Sequence, residues 1–479
     1  MDKEERIRTI GDILTVQGEP TSRGGAPTDA VAVQEWDGRR LLSTTYAELL
    51  READGFAAVL AEDGIRPRDH VAILMPNGKP WVAAYMAVQR LGAVAVPLGH
   101  EHLQGGAEHI AFALGHSEAG VIVVGPEDIE AAAALARDSG ARVVVHRPSG
   151  GGAPLVRPDV GPDEVAQILY TSGTTGRRKG VSLTHANVLF NVRASIRRFG
   201  FREGDCLPAL LPCHHAYPLT TSVIAPLYAG ARVPVGDVRS RQTADLLRAA
   251  RPTVLIGVPR MFESLLHAAR SAARREGKLE AMDRLVRLSA RLKSWTGLNA
   301  GRALFRALHR RVFGGMQLRF CMSGGARLSP SLARQYFALG IPLLQGWGMT
   351  ELSPVAAAQP FSKWKFIFTR HYERQVGSIG LPLDGTGVRL VDVPGQNVYA
   401  DRDGRGEMVA GGPHVMAGYY KDPEATERAL CEHGLRSGDI ARRDRLGHLH
   451  IIGRAKHVIV LPGGKKVFPE EDLYDALRG

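Results

Sequence analysis

Residues 168–186 read ILYTSGTTGRRKGVSLTHA and gather groups suited to holding polyphosphate. Thr171, Ser172, Gly173, Thr174, Thr175 and Gly176 set hydroxyls beside glycines, and Lys179 follows. Glycine lets backbone amides approach an anion closely. The hydroxyls add donors, and the lysine adds a point charge that matches phosphate. The stretch is not a Walker A loop, which requires Gly-Lys followed by Ser or Thr; here Lys179 lies between Arg178 and Gly180. The plainer alternative is a Ser/Thr/Gly-rich surface turn.

Two further glycine-rich turns follow apolar, strand-like runs: FCMSGGAR at 320–327 and QGWGMTELSP at 345–354. In open α/β sheets, ligands bind where strands end in such turns. Gly324, Gly325 and Ala326 leave room for a flat ring, and Trp347, flanked by Gly346 and Gly348, offers an aromatic face. Thr350 supplies a hydroxyl, and Glu351 a carboxylate able to ligate Mg²⁺ together with phosphate oxygens. Asp439, in LRSGDIARRD, is a natural receptor for two sugar hydroxyls, because a carboxylate accepts both as charge-assisted hydrogen bonds.

The elements that must position these groups alternate between helix and strand. Thr45 is a plausible N-cap for a helix over 47–61, followed by a turn at 66–69. Strands are expected at 71–75, 93–97, 120–124 and 142–146, with a helix over 80–91. The segment 148–162 reads as a loop, 187–199 as a helix and 253–259 as a buried strand. A long helical region spans 261–313, broken near Gly297 and Gly301. Its Leu285, Leu288, Leu292 and Trp295 share one face, and residues 270–311 hold 12 Lys/Arg against 3 Asp/Glu. Packing of that apolar stripe on the domain is the favoured reading, and contact with an anionic membrane the alternative. From Val376 the chain turns strand-rich and reads as a small β-subdomain. The alternation argues an α/β fold.

With 479 residues the chain exceeds one ordinary core and should form two or more lobes. No apolar run is long enough to span a bilayer, and the charged start MDKEERIRTIGDIL is not a secretory signal. Cys206, Cys213, Cys321 and Cys431 lack CxxC spacing, which argues against a metal cluster or disulfide framework and fits a reducing cytoplasm. The net charge of +12 suits an anionic partner. No nucleic-acid motif is present, so nucleic acid is not the expected one. His214 and His215 suggest metal, but no third ligand lies at useful spacing in the sequence. A half-buried pair at a strand end is the simpler reading.

The motifs YTSGTTGRRKGV, GWGMTE and SGD, in this order, resemble those of the adenylate-forming enzymes: acyl-CoA synthetases, firefly luciferases and peptide-synthetase adenylation domains. Arg178 stands where that family usually has proline, and Trp347 where it has tyrosine. The resemblance implies a large N-terminal adenylation domain over 1–455, with two α/β lobes and a β-subdomain at about 376–455, then a hinge at Lys456 opening a C-terminal domain truncated at 479. It implies ATP-dependent activation of a carboxylic acid to an acyl-adenylate, then thioester formation with coenzyme A, with Mg²⁺ required. On this reading Thr171 to Gly176 and Lys179 hold the β,γ-phosphates, Thr350 the α-phosphate and Glu351 Mg²⁺. Gly324, Gly325, Ala326, Gly346, Trp347 and Gly348 frame the adenine, and Asp439 and Arg454 hold the ribose. His215, Tyr217, Gly257 and Ser323 line the acyl pocket.

The family's C-terminal domain carries a lysine that contacts the reacting groups, so this chain is expected to bind substrates with impaired turnover. The helical extension after 261 resembles long-chain synthetases and points to a lipophilic acid. Two alternatives stay open: a fatty acid–AMP ligase loading an acyl carrier protein, suggested by the long 356–375 segment, and a nucleotide-binding fragment without turnover. A peptide-synthetase domain is disfavoured because no Asp stands within 207–217 to hold an amine. The expected location is the cytoplasm, with peripheral placement at the inner membrane surface as an alternative.

Overall fold

The computed structural model describes residues 3–18, 29–147, 158–171, 178–297, 299–315, 317–362, 369–396, 398–460 and 466–469. Two compact units divide the chain: Met1–Gly257 with Arg306–Leu318 and Met416–Pro423, and Val258–Phe305 with Arg319–Val415 and Glu424–Gly479.

The first unit is built on a seven-stranded sheet. Its order is Gly418–Tyr419, Lys179–Thr184, Val165–Thr171, Val94–Pro97, His70–Leu74, Val121–Val124 and Arg142–Val145. The last five strands of that order run parallel. Their runs of Val, Ile, Leu and Ala are the continuous apolar strands expected of a sheet covered on both faces. Helices Ala107–Ser117 and Ile129–Ser139 supply Ile110, Leu114, Ala132 and Leu135 to one core against Leu74, Val96 and Ile122. The helix Tyr46–Glu62 starts where the sequence places it. Thr45 accepts from the Glu48 amide, and Glu48 answers with its carboxylate on the Thr45 amide. That reciprocal pair satisfies two amides the first turn would otherwise leave open.

Among the described residues the second unit carries two larger sheets and the short pair Ile459–Val460 with Lys466–Val467. In one, Phe320–Ser323 runs parallel to Leu343–Gly348, which pairs antiparallel with Val355–Ala358 and then Leu381–Pro382. In the other, Gly387–Val391, Arg405–Gly411, Gly434–Arg443 and Leu430–Cys431 are joined by Leu449–Arg454 against Gly434–Arg443. Ala357 and Ile379 share a core cluster with Met408, Ala441 and Leu449, and Trp347 packs against it. The strand-rich reading from Val376 onward therefore holds. One piece departs from it: Gly418–Tyr419 pairs with Val181 and Ser182 of the first unit's sheet.

Three expectations need correction. The helical stretch after 259 breaks first near Gly277, whose φ of +67° needs glycine, leaving Pro259–Arg275 and Leu279–Thr296 as separate helices. The leucine stripe of the second helix is only partly covered: Leu285 and Leu292 are half-buried, whereas Leu288 is 44% and Trp295 90% exposed. That helix instead buries Met282 and Ser289, and Ser289 Oγ donates to the Ala338 carbonyl at 2.9 Å. His214 and His215 lie at no strand end; they enter the short helix Ala216–Pro218, with His215 in its N-cap position.

No described helix is long and apolar enough to cross a membrane. All four cysteines are free thiols.

Burial holds the His414 imidazole neutral, with its pKa pushed down to about 4. The unfolded chain takes up a proton there below its ordinary value near 6.5, and the folded chain does not until near 4. The contribution to stability is thus complete above pH 6.5 and falls as pH drops through that window. From about pH 7.5 to about pH 5.0 the loss amounts to about 2 kcal/mol. Urea midpoints at about pH 7.5 and about pH 5.0 test this, and His414→Gln is expected to show the shallower fall.

Candidate active site

Asp439 lies on the long strand Gly434–Arg443 and is 6% exposed, yet both its carboxylate oxygens are engaged. Trp347 Nε1 donates to Oδ2 at 2.9 Å, and Arg454 Nε lies 2.9 Å from Oδ1. The strand register delivers the second contact, because Asp439 and Arg454 are direct partners across the ladder. The first contact fixes the indole plane beside the carboxylate. A carboxylate offers about four acceptor positions, so one N–H on each oxygen does not by itself exhaust it. Sequence reasoning placed these three residues in one site, and the structure brings them into contact.

It missed what holds Asp439 in place. Glu407, buried on Arg405–Gly411, accepts from the Gly438 amide at 3.1 Å and from Arg436 Nη1 at 2.7 Å. Ser437 Oγ donates to the Met408 carbonyl at 2.6 Å and accepts from the Asp439 amide. These bonds pin the bend that presents the aspartate. Their partners sit 29 to 31 positions away, and no local pattern marks them.

Ser323 pairs with Gln345 across two parallel strands. The turn with Gly324, Gly325 and Ala326 therefore leaves its strand at the carboxyl end, beside Gly346, Trp347 and Gly348, which the structure keeps in the strand Leu343–Gly348 by pairing with Val355–Ala358 and not in the expected turn. That end is where open α/β sheets place ligands. Gly325 needs its glycine, with φ at +74°. Ser323 is fully buried, and its Oγ has no hydrogen-bond partner among the described residues.

Thr350 and Glu351 lie in the one-turn helix Thr350–Leu352, with Glu351 buried. The turn closes through the Met349 amide to the Pro354 carbonyl at 2.9 Å and the Ser353 amide to the Thr350 carbonyl at 3.1 Å. Ser353 has φ of +62°, a left-handed conformation rare for a residue with a side chain. Its hydroxyl donates to the His414 carbonyl at 2.9 Å. Such strain concentrates at functional turns. Gly348 is required, since a Cβ there would sit 1.8 Å from the Pro354 carbonyl oxygen. Gly348→Ala is expected to displace Thr350 and Glu351 and to lower Tm, an outcome read by a thermal melt beside an activity assay.

In the first unit, Thr171 and Lys179 face each other across the hairpin Val165–Thr171/Lys179–Thr184 and so stand at the mouth of the Thr/Gly loop. Ser172, Gly173, Thr174, Thr175 and Gly176 lie outside the described residues. Lys179 Nζ sits 4.4 Å from the Tyr419 ring centroid, a cation–π contact that holds the ammonium at the strand start. Gly180 cannot carry a side chain, because its Cβ would come within 2.9 Å of Ile168.

Of the acyl-pocket candidates, His215 and Tyr217 share one turn and Gly257 ends the strand Val254–Gly257. Ser323 belongs to the second unit. Burial raises the Tyr217 phenol above its ordinary pKa, so it stays protonated. Glu101 adds what the sequence could not show, a carboxylate 3.5 Å from His214. The absence of a third metal ligand held only for sequence spacing. Lys456 is exposed on the one-turn helix Ala455–His457.

Residues 22–420 match the AMP-binding enzyme family. The chain is 32% identical over 438 residues to a feruloyl-CoA synthase of an Amycolatopsis species, covering 90% of this chain and 78% of that one. It is 30% identical over 470 residues to the peroxisomal long chain acyl-CoA synthetase 6 of Arabidopsis thaliana, covering 90% and 64%. ATP-bound MatB from Rhodopseudomonas palustris superposes with a TM-score of 0.75 at 26% identity, covering 96% of this chain and 82% of that one.

Proposed function

We propose, on the premise that the chain belongs to the AMP-binding enzyme family, that it activates a lipophilic carboxylic acid. The chain is an AMP-forming acid–thiol ligase that uses ATP and coenzyme A, as its similarity to named CoA synthetases supports. A substrate carboxylate oxygen attacks the α-phosphorus of ATP, and the bond to pyrophosphate breaks. The thiol of coenzyme A then attacks the acyl carbonyl, and AMP leaves. The first step brings two anions together, so positioning and charge compensation carry the catalysis.

Asp439 carries the reading, since it is a buried carboxylate held between an indole and a guanidinium. In this proposal it accepts the two ribose hydroxyls, with Arg454 beside it. Trp347, the turn at Gly324, Gly325 and Ala326, and the strand end with Gly346 and Gly348 frame the adenine. Thr350 donates to the α-phosphate. Thr171, Lys179 and the loop between them hold the β,γ-phosphates. Glu351 fits Mg²⁺, a hard cation that takes one or two carboxylates and otherwise phosphate oxygens and water. That ion would supply charge neutralisation on the phosphates. His215, Tyr217, Gly257 and Ser323 are assigned to the acid, and Lys456 to the hinge that closes the adenylation domain at residue 455.

The substrate class rests on the helices Pro259–Arg275 and Leu279–Thr296, the extension that resembles long-chain synthetases. Exposed Leu288 and Trp295 on the basic second helix support peripheral contact with an anionic bilayer.

A panel of short, long and aromatic acids, read by pyrophosphate release, tests the proposal. Release that is highest with long-chain or aromatic acids is expected, and release only with acetate-sized acids contradicts the substrate class. Thioester formed with free coenzyme A excludes a carrier protein as obligatory acceptor.

A further inference from the structure

We infer that Glu101, His214 and His215 form a binding site for one transition-metal ion of the zinc class, held by residues other than the Glu351 assigned to Mg²⁺. Each offers one ligand atom, and all these atoms lie within 4.8 Å of one another. Glu101 Oε1 is 3.5 Å from His214 Nε2. Zinc bound tetrahedrally at about 2.0–2.1 Å sets neighbouring ligand atoms about 3.3 Å apart. The Glu101–His214 pair already has that spacing. The widest pair needs to close by about 1.5 Å at most to reach it, a movement within reach of rotations of the Glu101 side chain and the His215 ring.

The local fold explains why the three meet. Glu101 sits on the short helix His100–Gln104, soon after the strand Val94–Pro97. His214 and His215 occupy the turn before Ala216–Pro218, their ring centroids 4.0 Å apart and tilted by 47°. Because they are adjacent in the chain, one short backbone turn fixes both. Glu101 lies far earlier in the chain, which is why spacing gave no third ligand.

The chemistry suits a borderline metal. Two imidazoles and one carboxylate are the donor set of several zinc enzymes, whose fourth position is left to water. Nitrogen donors select against Mg²⁺ and Ca²⁺. Glu101 and His214 also line a cavity with Asn77, Trp81, Asp237 and Arg239, which gives the pair a polar approach. Arg178 and Arg239 are the nearby cations that work against a bound ion. The ring of His102, with its centroid 6.5 Å from that of His214, stands as a further imidazole beside the set.

The test uses the full chain, stripped of metal with a chelator, then desalted. Zn²⁺ alone is titrated by calorimetry, and Co²⁺ by visible absorption. One saturable equivalent is expected, with the intense cobalt bands of a four- or five-coordinate site. Glu101→Gln and His214→Ala are each expected to weaken binding by roughly tenfold or more, whereas His433→Gln, at an exposed histidine of the second unit, leaves it unchanged. Glu101→Gln is nearly isosteric, so it remains informative if His214→Ala fails to fold. Wild-type affinity in Glu101→Gln, a weak octahedral cobalt spectrum, or the absence of saturable binding overturns the site. No ATP or acid enters the titration, so its failure would leave the ligase reading intact.

Discussion

Lys179→Ala lowers kcat/KM for pyrophosphate release by about 10²–10³, the loss expected on removal of one preorganised charge donor. The lysine opens the strand Lys179–Thr184, partnered with Thr171 across the ladder, and its ammonium rests over the Tyr419 ring. The strand fixes its root and the ring limits its swing, so the charge is positioned before any phosphate arrives. Little of the fold depends on it: the cation–π contact contributes about 0.5–1 kcal/mol at an accessible position. The variant should therefore melt close to wild type while losing activity. Lys179→Arg keeps the charge but changes its shape, and an intermediate rate is expected. A Lys179→Ala enzyme with wild-type turnover would remove the phosphate role.

Asp439→Ala weakens AMP binding on the order of 10²–10⁴, since two hydrogen bonds to a charged acceptor contribute about 1.5–3 kcal/mol each. The aspartate is buried, so the change also acts on protein contacts. It frees Trp347 Nε1 and the Arg454 guanidinium, which both hold to the carboxylate at 2.9 Å. Two readouts separate the effects. A purely structural role would lower Tm and leave the affinity for AMP, measured by calorimetry on the folded variant, near wild type. A ribose-binding role shows as lost affinity even where the melt is little changed. Asp439→Asn keeps the shape and one acceptor, so its affinity should fall between the two.

Much of the framework was legible in the sequence because the deciding forces there are local. The capping box at Thr45 and Glu48 is a four-residue pattern, and the structure forms it at the N-cap the sequence marks. The strands His70–Leu74, Val94–Pro97 and Val121–Val124 are largely unbroken apolar runs, and burial on both faces leaves them no other use. The meeting of Trp347, Asp439 and Arg454 was expected only through family resemblance; no spacing brings residues 92 positions apart to 2.9 Å.

What stayed hidden is long-range or very short. The strand Gly418–Tyr419 has two residues, too few for any period, yet it extends the first unit's sheet and puts an aromatic ring under Lys179. Glu407 reads as one more surface carboxylate until the fold buries it beneath the Asp439 bend. The leucine stripe on Leu279–Thr296 misled because amphipathicity shows which face is apolar, not which face meets a neighbour. There the buried face holds Met282 and Ser289, whose hydroxyl donates to a backbone carbonyl.

The most direct test is a crystal structure with AMP bound. The account predicts both ribose hydroxyls within about 3.2 Å of the Asp439 carboxylate and the adenine lying against Trp347. A well-ordered nucleotide whose ribose makes no contact with Asp439, or whose base lies away from the indole, would contradict it.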